Sequence, residues 1–181
     1  MTTHMFNADE IRSLLAELGA ELDHHGIAGE MYLVGGAAIV LAYDGREATR
    51  DLDAIFVPKT EIYEAAARIA SRRGIETDWL NDAVKGLLPG PDPQAVTVFT
   101  CPGLSVSAGS PRHLLAMKVA SARVDRDVDD IRFLAEKCGL TTSREVIGAA
   151  TEVWGPGAIR LTPKSSFLVQ EIFGPLDSES E

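Results

Sequence analysis

The sequence predicts an α/β (α+β) fold, a mixed sheet flanked by helices and followed by a C-terminal helical region. Three observations predict it. Short apolar runs alternate with helical repeats over residues 1–110. Gly35-Gly36 and Pro102-Gly103 interrupt runs too short to be helices, which makes those runs strands. From Ser110-Pro111 onward only helical spacing remains. The expected organisation is an α/β core at 1–110, a helical region at 111–175 packed on it, and a disordered acidic tail at 176–181.

Each element has its own signal. Asn7, with Asp9 and Glu10 behind it, starts the first helix. Ile11, Leu14, Leu15, Leu18 and Leu22 form its apolar stripe, and Gly26 stops it. Met31–Val34 reads as a strand, Ala37–Ala42 as a buried alanine-rich helix, and Asp44-Gly45 as a turn. Leu52–Val57 is the second strand, ended by Pro58. A helix over Glu61–Arg73 follows, with Ile62, Ala66 and Ile69 on one stripe and Gly74 as its cap. Ile75–Trp79 reads as a third strand and Asn81–Pro93 as a loop. Val96–Cys101 and Leu104–Ser107 read as a hairpin. Ser110 as N-cap with Pro111 at the first helical position opens a helix at Arg112–Arg123. Further helices are expected at Arg126–Lys137, Ser143–Val153 and Lys164–Phe173.

The chain has 181 residues, 45% hydrophobic and 24% charged, enough apolar side chain for a buried core without disulfide or metal. Its formal net charge of -10 repels phosphate backbones and argues against tight, sequence-independent nucleic-acid binding. A local basic groove and a metal-bound nucleotide remain compatible with that charge. Cys101 and Cys138 form no paired motif and read as small buried hydrophobes in a reducing compartment. Met1–Asp9 has no apolar signal region, and no apolar run is long enough to span a bilayer. The expectation is a cytoplasmic protein without a membrane partner.

The chemistry concentrates between Leu33 and Val57. Glycines at a strand-to-helix turn let a polyphosphate approach the backbone closely. The helix that follows presents unpaired N–H groups and its positive end to that phosphate. Asp51 and Asp53 alternate with Leu52, so both carboxylates share one face of a strand and can hold the same divalent cation. Asp is disfavoured in strands, so two of them at the mouth of an apolar strand call for a compensating charge, which a metal supplies. The plainer readings are an ordinary glycine turn and an exposed polar strand face. No Gly-Lys-Ser/Thr follows the glycines, which excludes a P-loop, and the third glycine of a dinucleotide fingerprint is missing.

Gly35-Gly36 followed by Asp51-Leu52-Asp53 resembles the nucleotidyltransferase motif of the DNA polymerase β superfamily. There a Gly-Gly or Gly-Ser turn precedes an Asp-x-Asp strand by a short helix. The chain is similar to small bacterial nucleotidyltransferase-like proteins, including the abortive-infection type toxins of toxin–antitoxin systems. Those proteins also place a lysine on a later helix, with an aspartate-rich turn beyond it. Leu115-Ala116-Met117-Lys118 and Arg126-Asp127-Val128-Asp129-Asp130-Ile131 fit that pattern. The resemblance extends over residues 30–135.

It implies a nucleotidyltransferase-type mixed sheet and an enzyme that moves a nucleoside monophosphate from an NTP to an acceptor hydroxyl. Gly35 and Gly36 would contact the triphosphate, and Asp51 and Asp53 would bind Mg²⁺ or Mn²⁺. Lys118 would neutralise phosphate charge in the transition state, and Asp127 or Asp130 would orient the acceptor or act as base. The acceptor would be RNA such as a tRNA end, a protein side chain or a small molecule. A cognate toxin or antitoxin protein would be a further partner. Many members carry a third carboxylate on a later strand, but Val96–Thr100 has none, and Asp78 is the nearby substitute. That departure keeps a second reading open, a non-catalytic binding module or antitoxin-like partner. A third is a scaffold with fortuitous acids.

Other residues have competing readings. Arg50 and Lys85 are candidates for phosphate binding, against simple surface pairing. Lys118 and the Asp127–Asp130 run can equally be a surface lysine and an acidic first helical turn. His24-His25 do not share a helix face and make a poor metal site. His113 reads as a surface residue, and Ser107 and Ser110 lack a nucleophile elbow. Trp79 and Trp154 read as core or interface anchors, with Trp79 also a candidate to border a base.

Overall fold

The computed structural model describes residues 4–176, so the acidic tail from Asp177 onward lies outside the described residues. By its internal contacts the chain divides into two units. The first comprises residues 1–86 and 94–109, the second residues 87–93 and 110–181.

The first unit contains β1 (Phe6–Asn7), α1 (Ala8–His24), β2 (Gly29–Leu33), α2 (Gly35–Tyr43), β3 (Ala48–Thr49), β4 (Leu52–Val57), α3 (Lys59–Arg73), β5 (Leu80–Asn81), β6 (Val96–Cys101) and β7 (Leu104–Ala108). Five of its strands form one mixed sheet in the order β5-β4-β2-β7-β6. β2 runs antiparallel to β4 and parallel to β7. β4 and β5 are parallel, and β6–β7 is an antiparallel hairpin turning at Gly103, φ +82°. β1 and β3 form a separate two-stranded pair.

The strands alternate as a sheet with one covered face must. Met31, Leu33, Leu52, Ala54, Phe56, Leu104, Val106 and Ala108 are buried. The intervening Glu30, Tyr32, Asp53, Ile55, Ser105 and Ser107 are half-buried or exposed. α1 packs on α3, β6 and β7, while α2 and α3 pack on β4. The α1 stripe of Ile11, Leu14, Leu15, Leu18 and Leu22 is buried, each side chain contributing about 1.5–3 kcal/mol by leaving water. Asn7 and Glu10 form a reciprocal capping box that fixes where α1 begins. Gly19 lets α1 lie directly on the hairpin, because a Cβ there would collide with the Cys101 sulfur.

The second unit contains α4 (Pro111–Ser121), α5 (Val124–Lys137), α6 (Ser143–Trp154) and α7 (Pro163–Phe173). α4 packs on α5, α6 and α7. Ser110 caps α4, and reciprocal boxes at Thr142–Glu145 and Thr162–Ser165 open α6 and α7. Thus the protein has an α/β fold with a mixed sheet, helices on the sheet, and an all-helical second unit. Among the described residues, no helix is long and apolar enough to cross a membrane.

Ile75–Trp79 is not a strand. Trp79 N–H donates to Glu76 O within a turn, and Ile75–Asp78 stay exposed or half-buried. The third strand of that region is Leu80–Asn81, in parallel register with Leu52 and Asp53. The stretch read as a loop after Trp79 therefore begins in the sheet and then forms a 3₁₀ helix at Ala83–Leu87. Helix α2 starts at Gly35 rather than Ala37, so the glycine pair opens the helix instead of preceding it.

Candidate functional site

β2 passes into α2 through Val34, an extended N-cap residue with no side-chain hydrogen bond to the helix. The first turn of α2 holds no acidic residue. Its leading N–H groups therefore face their surroundings without a side-chain cap. Gly35 lies in the left-handed region at φ +59°, where a side chain is strained. Val34 N–H donates to Asp53 O at 2.9 Å, which clamps β4 beside the turn. As a result Asp53 Oδ2 stands 3.3 Å from the point that a Cβ on Gly35 would occupy.

Leu52 is fully buried, and the flanking Asp51 and Asp53 are half-buried. Asp51 lies just ahead of β4, and its carbonyl accepts the Thr49 hydroxyl at 3.2 Å. Asp53 thus presents a hard oxygen donor at the glycine turn, and Asp51 stands two residues before it, ahead of β4. That donor set fits Mg²⁺, which one or two carboxylates commonly hold together with substrate phosphates. Among the described residues, no group of three or more His, Cys, Asp or Glu side chains is placed to hold a metal ion. A cation here would depend on Asp51, Asp53 and the substrate's own oxygens.

Three neighbours of this site carry no sequence signal. Asn81 sits beside Asp53 in the β4–β5 register, and its Oδ1 accepts Ala83 N–H at 3.1 Å. The next residue is tied down: Asp82 accepts the Tyr63 hydroxyl at 2.6 Å and pairs with Lys59 at 2.6 Å. The hydrogen bond from Lys59, then that from Tyr63, hold the Asp82 carboxyl below the usual range. Thr49 and Arg46 close over Gly36: a Cβ there would meet Thr49 Oγ1 at 2.5 Å and Arg46 Nη1 at 2.9 Å. Thr49 is buried and Arg46 half-buried.

Lys118, Asp127 and Asp130 assemble inside the second unit. The buried Lys118 Nζ lies 2.9 Å from Asp127 Oδ1 and 2.8 Å from Asp130 Oδ2. Asp127, fully buried, also accepts the Ser121 hydroxyl at 2.6 Å and Arg123 N–H at 3.0 Å. Burial pushes its carboxyl up, but the Lys118 charge and the bonds from Ser121, Lys118 and Arg123 outweigh that and hold it below the usual range. Asp127 is accordingly a poor proton acceptor and a strong anchor for α5 on α4. Lys118 is not a surface lysine. Asp129 is exposed and outside the cluster.

Arg50 and Lys85 are exposed, Lys85 on the 3₁₀ helix. Asp78 is exposed on the turn before β5, so it does not stand in the sheet. Trp79 is a core residue, 1% exposed, with its indole N–H on Ala66 O at 3.1 Å; it is not open to a base. Trp154 donates to Ala116 O at 2.9 Å. His113 is buried rather than superficial: Nδ1 lies 3.4 Å from Asp92 Oδ1 and Nε2 3.3 Å from Gly90 O. Ser110 donates to the same Asp92 through its N–H and hydroxyl, at 2.7 and 2.9 Å. Because the serine bonds the carboxylate and not the imidazole, this trio anchors residues 90–92 on α4 and is no nucleophile–base pair. Cys101 and Cys138 are half-buried free thiols whose pKa burial raises, which makes them poor nucleophiles.

No protein-family model and no curated protein matches the chain. Among solved structures, an antigenic nucleotidyltransferase-like protein from Paracoccidioides brasiliensis is similar at 15% identity and a TM-score of 0.38, over 95% of this chain and 100% of that one.

Proposed function

We propose that the chain is a Mg²⁺-dependent nucleotidyltransferase that moves an NMP from an NTP to an acceptor hydroxyl. The observation that carries this reading is the Asp53 carboxylate packed against Gly35 at the head of α2, with Asp51 two residues before it. The sequence resemblance, carried by the same glycines and aspartates, supports it as well.

In this reading the backbone of Gly35 and Gly36 and the leading N–H groups of α2 bind the triphosphate. Asp51 and Asp53 would hold Mg²⁺, or Mn²⁺ in its place. When bound, the metal offsets the negative charge that builds on the phosphate oxygens. The acceptor hydroxyl oxygen forms a bond to the α-phosphorus, and the α–β bridging P–O bond breaks. Pyrophosphate leaves with that electron pair, and the hydroxyl proton goes to solvent. The net charge of -10 favours a protein or small-molecule acceptor. The resemblance favours a tRNA end and a toxin–antitoxin setting. Lys118, Asp127 and Asp130 enter only through the resemblance, and Arg50 and Lys85 remain candidate phosphate contacts.

The test is transfer of label from α-labelled NTPs to total RNA, protein and small-molecule fractions, in wild type and in Asp51→Asn/Asp53→Asn. Mg²⁺-dependent labelling that the double variant loses supports the reading. A second reading, a nucleotide-binding module or antitoxin-like partner without turnover, draws on the neutral Asn81 beside Asp53. It expects Mg²⁺-dependent NTP binding with no labelled acceptor.

A further inference from the structure

We propose that Asn81 limits the site to a single protein-held divalent cation. This rests on the nucleotide reading above and assigns the number of cations that the protein itself holds there.

The sheet register places the residue. β4 and β5 are parallel, with Leu52 beside Leu80 and Asp53 beside Asn81. Neighbouring strands lie about 4.8 Å apart, and residues in parallel register point to the same side of the sheet. Leu52 and Leu80 are both buried and mark the core side. Asp53 and Asn81 alternate with them, are both half-buried, and so share the other side. Position 81 is therefore one from which a carboxylate could share a cation with Asp53. The chain puts an amide there.

That amide is already committed. Asn81 Oδ1 accepts Ala83 N–H at 3.1 Å. The bond also fixes which arm of the amide is which, because the arm at an N–H must be the oxygen. The oxygen is the only side-chain atom that can ligate a hard cation, and the other arm, an NH₂, repels one. The segment that holds it is tied to α3. Asp82 pairs with Lys59 and accepts the Tyr63 hydroxyl, both at 2.6 Å, and Asp82 N–H donates to that hydroxyl oxygen at 3.1 Å.

Charge then sets the count. Asp51 and Asp53 together carry two negative charges, which balance one divalent cation. Paired catalytic cations sit about 3.5–4 Å apart, where their mutual repulsion needs further anionic ligands. Among the described residues no third His, Cys, Asp or Glu is placed to complete such a group. Any second cation is therefore held by the triphosphate and not by the protein. Asn81→Asp would supply the missing charge beside Asp53.

The experiment counts bound Mn²⁺ per chain by electron paramagnetic resonance and calorimetry, without nucleotide. It uses wild type, Asn81→Asp, Asn81→Ala, Asp51→Asn/Asp53→Asn, and Ser105→Asp as the control for an added charge elsewhere, at an exposed position on β7. Each count is taken above that of the double aspartate variant, which subtracts other Mn²⁺ sites on a chain of net charge -10. Melting temperatures confirm folding, and Mg-NTP affinity is measured alongside. Wild type should hold one Mn²⁺ and folded Asn81→Asp two. Asn81→Ala should hold one with affinity within about twofold of wild type, and Ser105→Asp should also hold one. A count that stays at one in folded Asn81→Asp overturns the assignment, as do two ions in wild type or a rise in Ser105→Asp. A weakening of about tenfold or more in Asn81→Ala overturns it too, since the amide oxygen would then be a ligand. Should Asn81→Asp not fold, the wild-type count and Asn81→Ala still decide. If Mg-NTP binding depends on Asp51 and Asp53 while the count ignores position 81, the nucleotide reading stands and only Asn81 falls. If wild type binds neither Mn²⁺ nor any Mg-NTP, both fall.

Discussion

Asp53 Oδ2 lies 3.3 Å from where a Cβ on Gly35 would stand, while Gly35 itself has φ +59°. The backbone conformation favours glycine here, and the carboxylate packed on it leaves a methyl only a tight fit. Gly35→Ala should cost about 1–2 kcal/mol from the left-handed conformation alone. For a chain of this length that lowers Tm by about 2–8 °C. The added methyl also intrudes on Asp53, so loss of Mg-NTP binding should exceed what the lost stability explains. Binding that survives in a folded Gly35→Ala protein would separate the glycine from the ligand site.

Asp51→Asn/Asp53→Asn keeps shape and removes two charges from half-buried positions. Stability should change by about 1 kcal/mol or less. A nucleotide present at about 100 times its Kd stabilises a protein by about 2.7 kcal/mol, or about 5–10 °C here. That Mg²⁺-dependent shift should vanish in the double variant. Scanning fluorimetry with each NTP, with and without Mg²⁺, checks it. A shift of equal size in both proteins would show that the carboxylates play no part.

Trp79 illustrates a core role that its sequence context disguises. Its neighbours Asn81 and Asp82 are polar, yet the ring is 1% exposed and its N–H satisfies Ala66 O on α3. Trp79→Phe removes volume and the extra donation to a carbonyl that lies within α3, which should cost about 1–3 kcal/mol. The nucleotide shift should keep its wild-type size. A Trp79→Phe protein with unchanged Tm but weakened NTP binding would return the indole to the ligand site.

What the sequence discloses depends on how local the cause is. Leu52–Val57 is a strand as read because its alternation and the flanking Pro58 act within the segment, and Val96–Cys101 because the Pro102-Gly103 turn follows it directly. Asn7 and Glu10 announce α1 because a capping box spans three residues. Leu80–Asn81 carries no strand signal because two residues have no period; pairing to Leu52 and Asp53 makes them a strand. The two-residue pair of Phe6–Asn7 with Ala48–Thr49 is hidden for the same reason. At the site, the Asp51/Asp53 alternation and the glycine pair are readable. Arg46, Thr49 and Asn81 are not, since only the fold of residues 44–49 over α2 and the β4–β5 register bring them there. Likewise nothing in spacing announces that Lys118 turns inward to Asp127 and Asp130.

Lys118 and Asp127 supply a pH prediction. Asp127 is fully buried and its carboxyl is held below the usual carboxylate range, burial opposing and Lys118 with two further donors, Ser121 and Arg123 N–H, prevailing. A carboxyl whose folded pKa is depressed binds its proton more readily in the unfolded chain. Its contribution is therefore complete above the unfolded value, about 4, and is lost as pH falls through the lower folded value. Asp127→Ala leaves the Lys118 ammonium with Asp130 alone in a buried setting and should cost about 3 kcal/mol at pH 7. Asp127→Asn keeps the shape and should cost less, since Ser121 and Arg123 N–H retain an acceptor. The stability gap between wild type and Asp127→Asn, measured by urea denaturation from pH 7 downward, should hold constant to about pH 4 and then narrow. A gap that narrows as pH rises, or none at pH 7, would mean that the ion pair does not hold α5 on α4.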